Sequence, residues 1–223
     1  DRAGNTASTS LTGINVDTAA PNVAISAPAG GVFIAHRDTI AVAFSASDVL
    51  DPAPSSSGTL RLLQAQNGAP GKLTGPLAVA SGQTFEPLDL AAGVWQLEVT
   101  ARDVAGNDSL QTSSSFQVVH DIQPPRVLAA VGAPSSGSAP VYLTRDTELT
   151  FTSADDLVSA GDGQGLGVAQ VIVSVDGTPR ATFISSGSLK LADADGTYTI
   201  AFSAVDVLGN ASAAQSLSVA VDN

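Results

Sequence analysis

The stretch Gly93-Val94-Trp95-Gln96-Leu97-Glu98-Val99-Thr100-Ala101-Arg102-Asp103-Val104-Ala105-Gly106-Asn107 decides the fold. It recurs 103 residues later as Gly196-Thr197-Tyr198-Thr199-Ile200-Ala201-Phe202-Ser203-Ala204-Val205-Asp206-Val207-Leu208-Gly209-Asn210. In both copies apolar residues occupy alternate positions, Trp95, Leu97, Val99 and Ala101, then Tyr198, Ile200, Phe202 and Ala204. A period of two puts one face of an extended chain in a core and the other in solvent, so each copy reads as a half-buried strand. Each strand ends in an Asp-x-x-Gly-Asn turn, where glycine supplies the left-handed backbone. The chain then returns through Leu110, Phe116 and Val118, or through Leu217, Val219 and Val221.

The turn is present a third time at the start of the chain, as Asp1-Arg2-Ala3-Gly4-Asn5, again followed by a run that ends in an aspartate, Asp17. The corresponding aspartates after the other copies are Asp121 and Asp222. A step of about one hundred residues is the size of one β-sandwich domain. The chain of 223 residues is therefore expected to hold two such domains, residues 18–121 and 122–223. Residues 1–17 are expected to be the last strand of a preceding repeat, in a chain cut from a longer array.

Working outward, Arg37-Asp38-Thr39 and Arg145-Asp146-Thr147 each open an alternating run, Ile40 to Ala46 and Leu149 to Asp155. The two runs differ in parity by one residue, which predicts a bulge or shifted turn in one copy. A further strand follows at 60–64 and 168–175, closed by the hairpin pairs Asn67-Gly68 and Asp176-Gly177. The first strands are expected at 23–25 and 127–131. Pro21 and Pro124-Pro125 stand just before them, stiffening each connector. An aromatic at the start of the recurrent strand is placed like the tyrosine corner of immunoglobulin-type sandwiches. Trp95 takes that place in the first copy, so a hydroxyl-to-backbone bond is expected at Tyr198 only. The fold class is all-β, tandem immunoglobulin-like Greek-key sandwiches of about seven strands each.

Composition excludes several functions. Net charge is −12 with two lysines, so nucleic acid and anionic membrane surfaces would be repelled. Cysteine is absent, which removes disulfides, thiol nucleophiles and thiolate metal sites. No apolar run is long enough to span a bilayer as a helix. The histidines, His36 and His120, are read as too far apart to share a transition metal. Asp155-Asp156 and Asp193/Asp195 are paired acids of the type used in glycoside hydrolysis, but acids in turns are more often solvated, and no catalytic residue is assigned. Asn107-Asp108-Ser109 and Asn210-Ala211-Ser212 fit the glycosylation sequon by coincidence.

The three Asp-x-Ala/Leu-Gly-Asn loops, the connector Asp17-Thr18-Ala19-Ala20-Pro21 and its counterpart Asp121 to Pro125 resemble the bacterial immunoglobulin-like (BIg-type) repeats of large surface adhesins. The resemblance covers nearly the whole chain; the second connector departs from it at Ile122-Gln123. It implies an exported protein, extracellular or on the cell surface, with a stalk or adhesive role and calcium at domain junctions. In that fold the connector meets two loops at the start of each domain. The candidate ligands are therefore Asp17, Asp48, Asp51, Asp103 and Asn107 for the first junction. For the second they are Asp121, Asp155, Asp156, Asp206 and Asn210. Carboxylate and amide oxygens are hard donors of the kind calcium takes. The alternative is that each aspartate caps its own turn through backbone N–H groups.

The expected function is a spacer in an adhesin or extracellular fibre, whose expected partners are neighbouring repeats and host or environmental surface ligands. Two alternatives stand beside it. One is an accessory ligand- or carbohydrate-binding module of a secreted enzyme; the other is a fibre subunit that polymerises by strand exchange through residues 1–17.

Overall fold

A computed structural model describes residues 2–10, 12–13, 16–66 and 73–223. Among them eighteen strands form two separate apolar cores. The first sandwich holds β1 (Asn22–Ala27), β2 (Val32–Ile34), β3 (Ile40–Ala41), β4 (Ala43–Ser47), β5 (Ser55–Ala65), β6 (Leu77–Val79), β7 (Thr84–Phe85), β8 (Gly93–Arg102) and β9 (Thr112–Val119). The second holds β10 (Arg126–Val131), β11 (Ser135–Ser136), β12 (Val141–Leu143), β13 (Glu148–Ala154), β14 (Val168–Val175), β15 (Thr178–Phe183), β16 (Gly187–Lys190), β17 (Gly196–Asp206) and β18 (Gln215–Val221).

Each sandwich sets a large sheet against a small one. The large sheets have the order β2-β9-β8-β5-β6 and β11-β12-β18-β17-β14-β15. Opposite them lie the pairs β1-β4 and β3-β7 in the first sandwich and β10-β13-β16 in the second. The expectation of about seven strands per sandwich is exceeded. The extra elements are the short β2 and β12, each running parallel to the last strand of its sandwich, and the break of one strand into β3 and β4. At the break, the Val42 N–H donates to the Gln83 carbonyl (2.8 Å), one step on from the Ile40–Phe85 and Ala41–Thr84 pairs, before the chain passes to the β1 partner at Ala43.

The recurrent strands β8 and β17 sit at the centre of their sheets, which is why they read so clearly. Their inward residues Trp95, Leu97 and Val99, and Ile200, Phe202 and Ala204, are buried. The parity difference between the two runs arises at the turn, since buried Ile40 directly follows Thr39 whereas buried Leu149 stands two residues after Thr147. A separate bulge lies in β1 of the first copy. Ile25 pairs with Phe44 and Ala27 with Ala43, leaving Ser26 unpaired, whereas β10 and β13 pair without interruption. Two expectations need correction. Leu110 is exposed, because the returning strand begins only at Thr112. The second is that the returning strand, expected without them, has β2 or β12 beside it. The hydroxyl-to-backbone bond expected at Tyr198 is present, to Ala194 O at 2.9 Å, and the Trp95 indole N–H makes an equivalent bond of its own, to Ala91 O at 2.8 Å.

Gly93 opens β8 at φ 149°, and a Cβ there would lie 2.0 Å from the Gln64 carbonyl oxygen, so this position admits glycine only. The expected hairpin pair Asn67-Gly68 lies outside the described residues. None of the described residues of the 1–17 segment is in a strand, although a strand was expected there, and nearly all are exposed.

Candidate junction sites

The Asp-x-x-Gly-Asn turn has the same internal bonding in both sandwiches. Asn107 N–H donates to Asp103 Oδ1 and its side-chain amide to Asp103 Oδ2, both at 2.8 Å. Asn210 does the same to Asp206, at 2.8 and 2.7 Å. Gly106 and Gly209 both hold φ 95°, the left-handed backbone the turn needs. Ser109 and Ser212 clip the turn to its strand, each hydroxyl accepting from the alanine N–H of Ala101 or Ala204. The sequon-like triplets are thus accounted for by turn bonding.

The same asparagines reach the connectors. Asn107 Nδ2 donates to the Asp17 backbone oxygen at 3.3 Å, and Asn210 Nδ2 to that of Asp121 at 3.5 Å. Their amide nitrogens face the connector and the turn carboxylate. Each connector aspartate is thereby drawn over the loop that follows β4 or β13.

Two groups of three aspartates result among the described residues: Asp17, Asp48 and Asp103, and Asp121, Asp155 and Asp206. In each group one carboxylate oxygen per residue lies within 4.8 Å of the other two. Oxygens contacting one calcium ion at about 2.4 Å stand at most about 4.8 Å apart, so three oxygens in either group can share a cation. Asp51 and Asp156 fall outside the groups. Asp51 accepts from Ala53 N–H and Val104 N–H, at 3.0 Å each, tying two loops together. Asp156 accepts from Gly161 and Gly163 N–H and pairs with Arg126 at 3.0 Å.

The groups differ in environment. Asp103 is buried and Asp17 and Asp48 are half-buried, whereas all three members of the second group are buried. Burial acts to raise the Asp103 carboxyl, but the bonds from Asn107 outweigh it and hold the group below the usual carboxylate range. Burial pushes Asp121 up, and the nearby charges of Asp155 and Asp206 add to it. Asp155 is also raised, by burial first and then by Asp206 and Asp156. Asp121 Oδ2 accepts from Leu166 N–H (3.0 Å) and Asp155 Oδ2 from Gly167 N–H (2.7 Å). Their Oδ1 atoms are buried with no hydrogen-bond partner among the described residues. Buried acceptors left unpaired cost roughly 1–3 kcal/mol each, more when charged. A divalent cation would satisfy both oxygens and remove the mutual repulsion, so this donor set fits one.

The sequence reading missed Asp162. It accepts backbone N–H bonds from Leu157, Val158, Ser159 and Gln164 and so shapes the long loop after β13. Burial opposes ionisation there, but these bonds hold its carboxyl far below the usual range. The repeat gave no signal, since the first copy has a shorter loop.

The second group sits where the two sandwiches meet. Ile34 and Val119 of the first sandwich pack with Leu157 and Leu166 of the second. Ile122 N–H donates to Leu157 O (3.4 Å) and Gln123 Nε2 to Val158 O (3.0 Å). His120 is buried against the first sandwich, with Nε2 3.2 Å from Pro87 O. His36 and His120, expected to lie apart, line one cleft of about 350 Å³ with Leu88, Ile122, Val207 and Leu208. Neither histidine belongs to a three-ligand group among the described residues. The paired acids considered for hydrolysis are engaged structurally: Asp193 with Arg180 (3.0 Å) and Asp195 with Asn223.

No protein-family model matches the chain. A search of curated proteins finds no match either. Solved structures similar to it include a region of a 1.5-MDa bacterial ice-binding adhesin, at 14% identity over 93% of this chain and 67% of that one, TM-score 0.48. Fibronectin(III)-like modules of Clostridium thermocellum CbhA are similar at 21% identity, covering 90% and 94%, TM-score 0.33. Three N-terminal domains of the bacteriophage RB49 outer capsid protein Hoc are similar at 15% identity, covering 91% and 59%, TM-score 0.36.

Proposed function

We propose that this chain is a load-bearing spacer of an extracellular protein, in which each junction between sandwiches is stiffened by a bound calcium ion. The observation that carries the reading is the second junction. Asp121 is held by backbone and side chain to two loops of the second sandwich, while its neighbour His120 is buried in the first. Four residues of connector, from Ile122 to Pro125, leave no slack, and two of them are bonded to the following loop. Prolines and apolar packing of Leu157 and Leu166 restrict the remaining freedom. Such a junction transmits force and fixes reach, and the reading includes no turnover. Asp17, Asp48 and Asp103 would hold one cation, and Asp121, Asp155 and Asp206 another. When bound, the ion supplies charge neutralisation and a bond between connector and loops.

Calorimetric titration of the full chain with calcium tests this. Two binding events per chain are expected, with Asp48→Asn abolishing one and Asp155→Asn the other. A chain that takes up no calcium, or variants that still show both binding events, contradict the assignment.

A further inference from the structure

The start of the first sandwich exposes a leucine, Leu50, at the position that in the second sandwich is seated on a neighbour, beside two further exposed valines; Val207, the counterpart of Val104, stays 57% exposed. Aligning Asp48 with Asp155 places Leu50 at the position of Leu157, and aligning Asp103 with Asp206 places Val104 at that of Val207. Aligning the connector aspartates places Val16 at the position of His120. In the second sandwich Leu157 is 5% exposed, because Ile34 and Val119 cover it. In the first, Leu50 is 50% exposed, and Val16, Val49 and Val104 are 77%, 91% and 89% exposed. Three exposed apolar side chains at one pole, Val49, Leu50 and Val104, on loops already fixed by Asp48 and Asp51, form a ready contact surface.

We infer that this pole docks the far end of another immunoglobulin-type sandwich, one that takes residues 2–16 as its own closing strand. Two independent observations support that occupant. The first is continuity with the second junction, where the equivalent pole meets a sandwich end made of Ile34, Ala35, Leu88 and Val119. The second is the sequence of the segment, which repeats the Asp-x-x-Gly-Asn turn and then runs to the connector aspartate, as the strands β9 and β18 do. A second copy of this chain is a poor occupant. Both of its sandwiches already have their last strand paired on two sides, and its free far end presents Arg145, Asp193, Asp195 and Asn223 rather than an apolar loop. The inference extends the spacer reading but does not depend on the cation.

The test is an extended chain in which residues 18–102 are placed ahead of residue 1, so that the segment 1–17 follows them as 103–121 does in the natural order. Backbone amide exchange is compared between this chain and the original, with calcium and with chelator. In the extended chain, residues 2–16 are expected to exchange at least about tenfold more slowly in both conditions, and the loops carrying Leu50 and Val104 to gain protection. In the extended chain, Leu50→Asp with Val104→Asp is expected to remove the loop protection and leave that of 2–16 intact. An added segment that stays unfolded, or that folds while 2–16 or the loops exchange as before, overturns the proposal. Protection that appears only with calcium would instead tie the docking to the cation and overturn its independence.

Discussion

Trp95→Ala is expected to unfold the first sandwich at about 37 °C while the second retains its own melting transition. Trp95 is fully buried at the centre of the larger sheet, where it pairs with Leu62 on one side and Phe116 on the other. Removing a buried tryptophan costs about 3–5 kcal/mol, most or all of the stability of a domain this size. Its N–H also satisfies the Ala91 carbonyl, which would be stranded at the base of the core. Trp95→Phe separates the two contributions, since it keeps most of the apolar volume but not the donor. That variant should cost about 1–2 kcal/mol for the unmade bond, in addition to the lost volume. Scanning calorimetry resolves the outcome, because the cores around Trp95 and Phe151 are distinct. A single transition that shifts as a whole would show that the two sandwiches melt as one unit.

Asp155→Asn is expected to change the stability of the second sandwich in opposite directions with and without calcium. In chelator at neutral pH, the wild-type protein keeps buried carboxylates at Asp121 and Asp155 close to Asp206. Their carboxyls are raised above the ordinary 3.8, so folding favours their protonated forms. Their cost is therefore absent below the ordinary carboxylate value, grows as pH rises through the raised values and is complete above them. Asparagine removes one charge and keeps an oxygen for Gly167 N–H, so the variant should melt higher than wild type in chelator. With calcium at a hundredfold excess over its dissociation constant, wild type gains about 2.7 kcal/mol from that site and the variant gains none. The order of melting temperatures then reverses. Protons compete with the cation for the same oxygens, so the calcium effect should fade as pH drops through the raised range. An Asp155→Asn variant destabilised equally in both conditions would mean that the aspartate serves its loop alone.

The strands were legible wherever a strand lies mid-sheet with one face buried, as β8, β14 and β17 do, because alternation is strongest there. The short strands β2 and β12 were not legible, since three residues cannot display a period. The hydroxyl bond of Tyr198 was legible, and the indole bond of Trp95 adds to it. An indole N–H and a phenol O–H occupy the same place and reach the same i−4 carbonyl. At the junctions, the structure brings together Asp17, Asp48 and Asp103, and Asp121, Asp155 and Asp206, of the residues the repeat offset pointed to. Asp51 and Asp156, near them in sequence, bond loop backbone instead, because sequence proximity does not reveal which way a loop side chain turns. That His36 and His120 line one cleft was invisible for a related reason: they belong to different loops of the first sandwich.

The absence of cysteine lets two spin labels be placed without side reactions, on Ser115→Cys in β9 and Ser218→Cys in β18, both exposed. Pulsed electron resonance then reads the distance between the two sandwiches directly. Stiffening by an ion at Asp121, Asp155 and Asp206 requires one narrow distribution in calcium that broadens in chelator. Equal widths in the two conditions would contradict it.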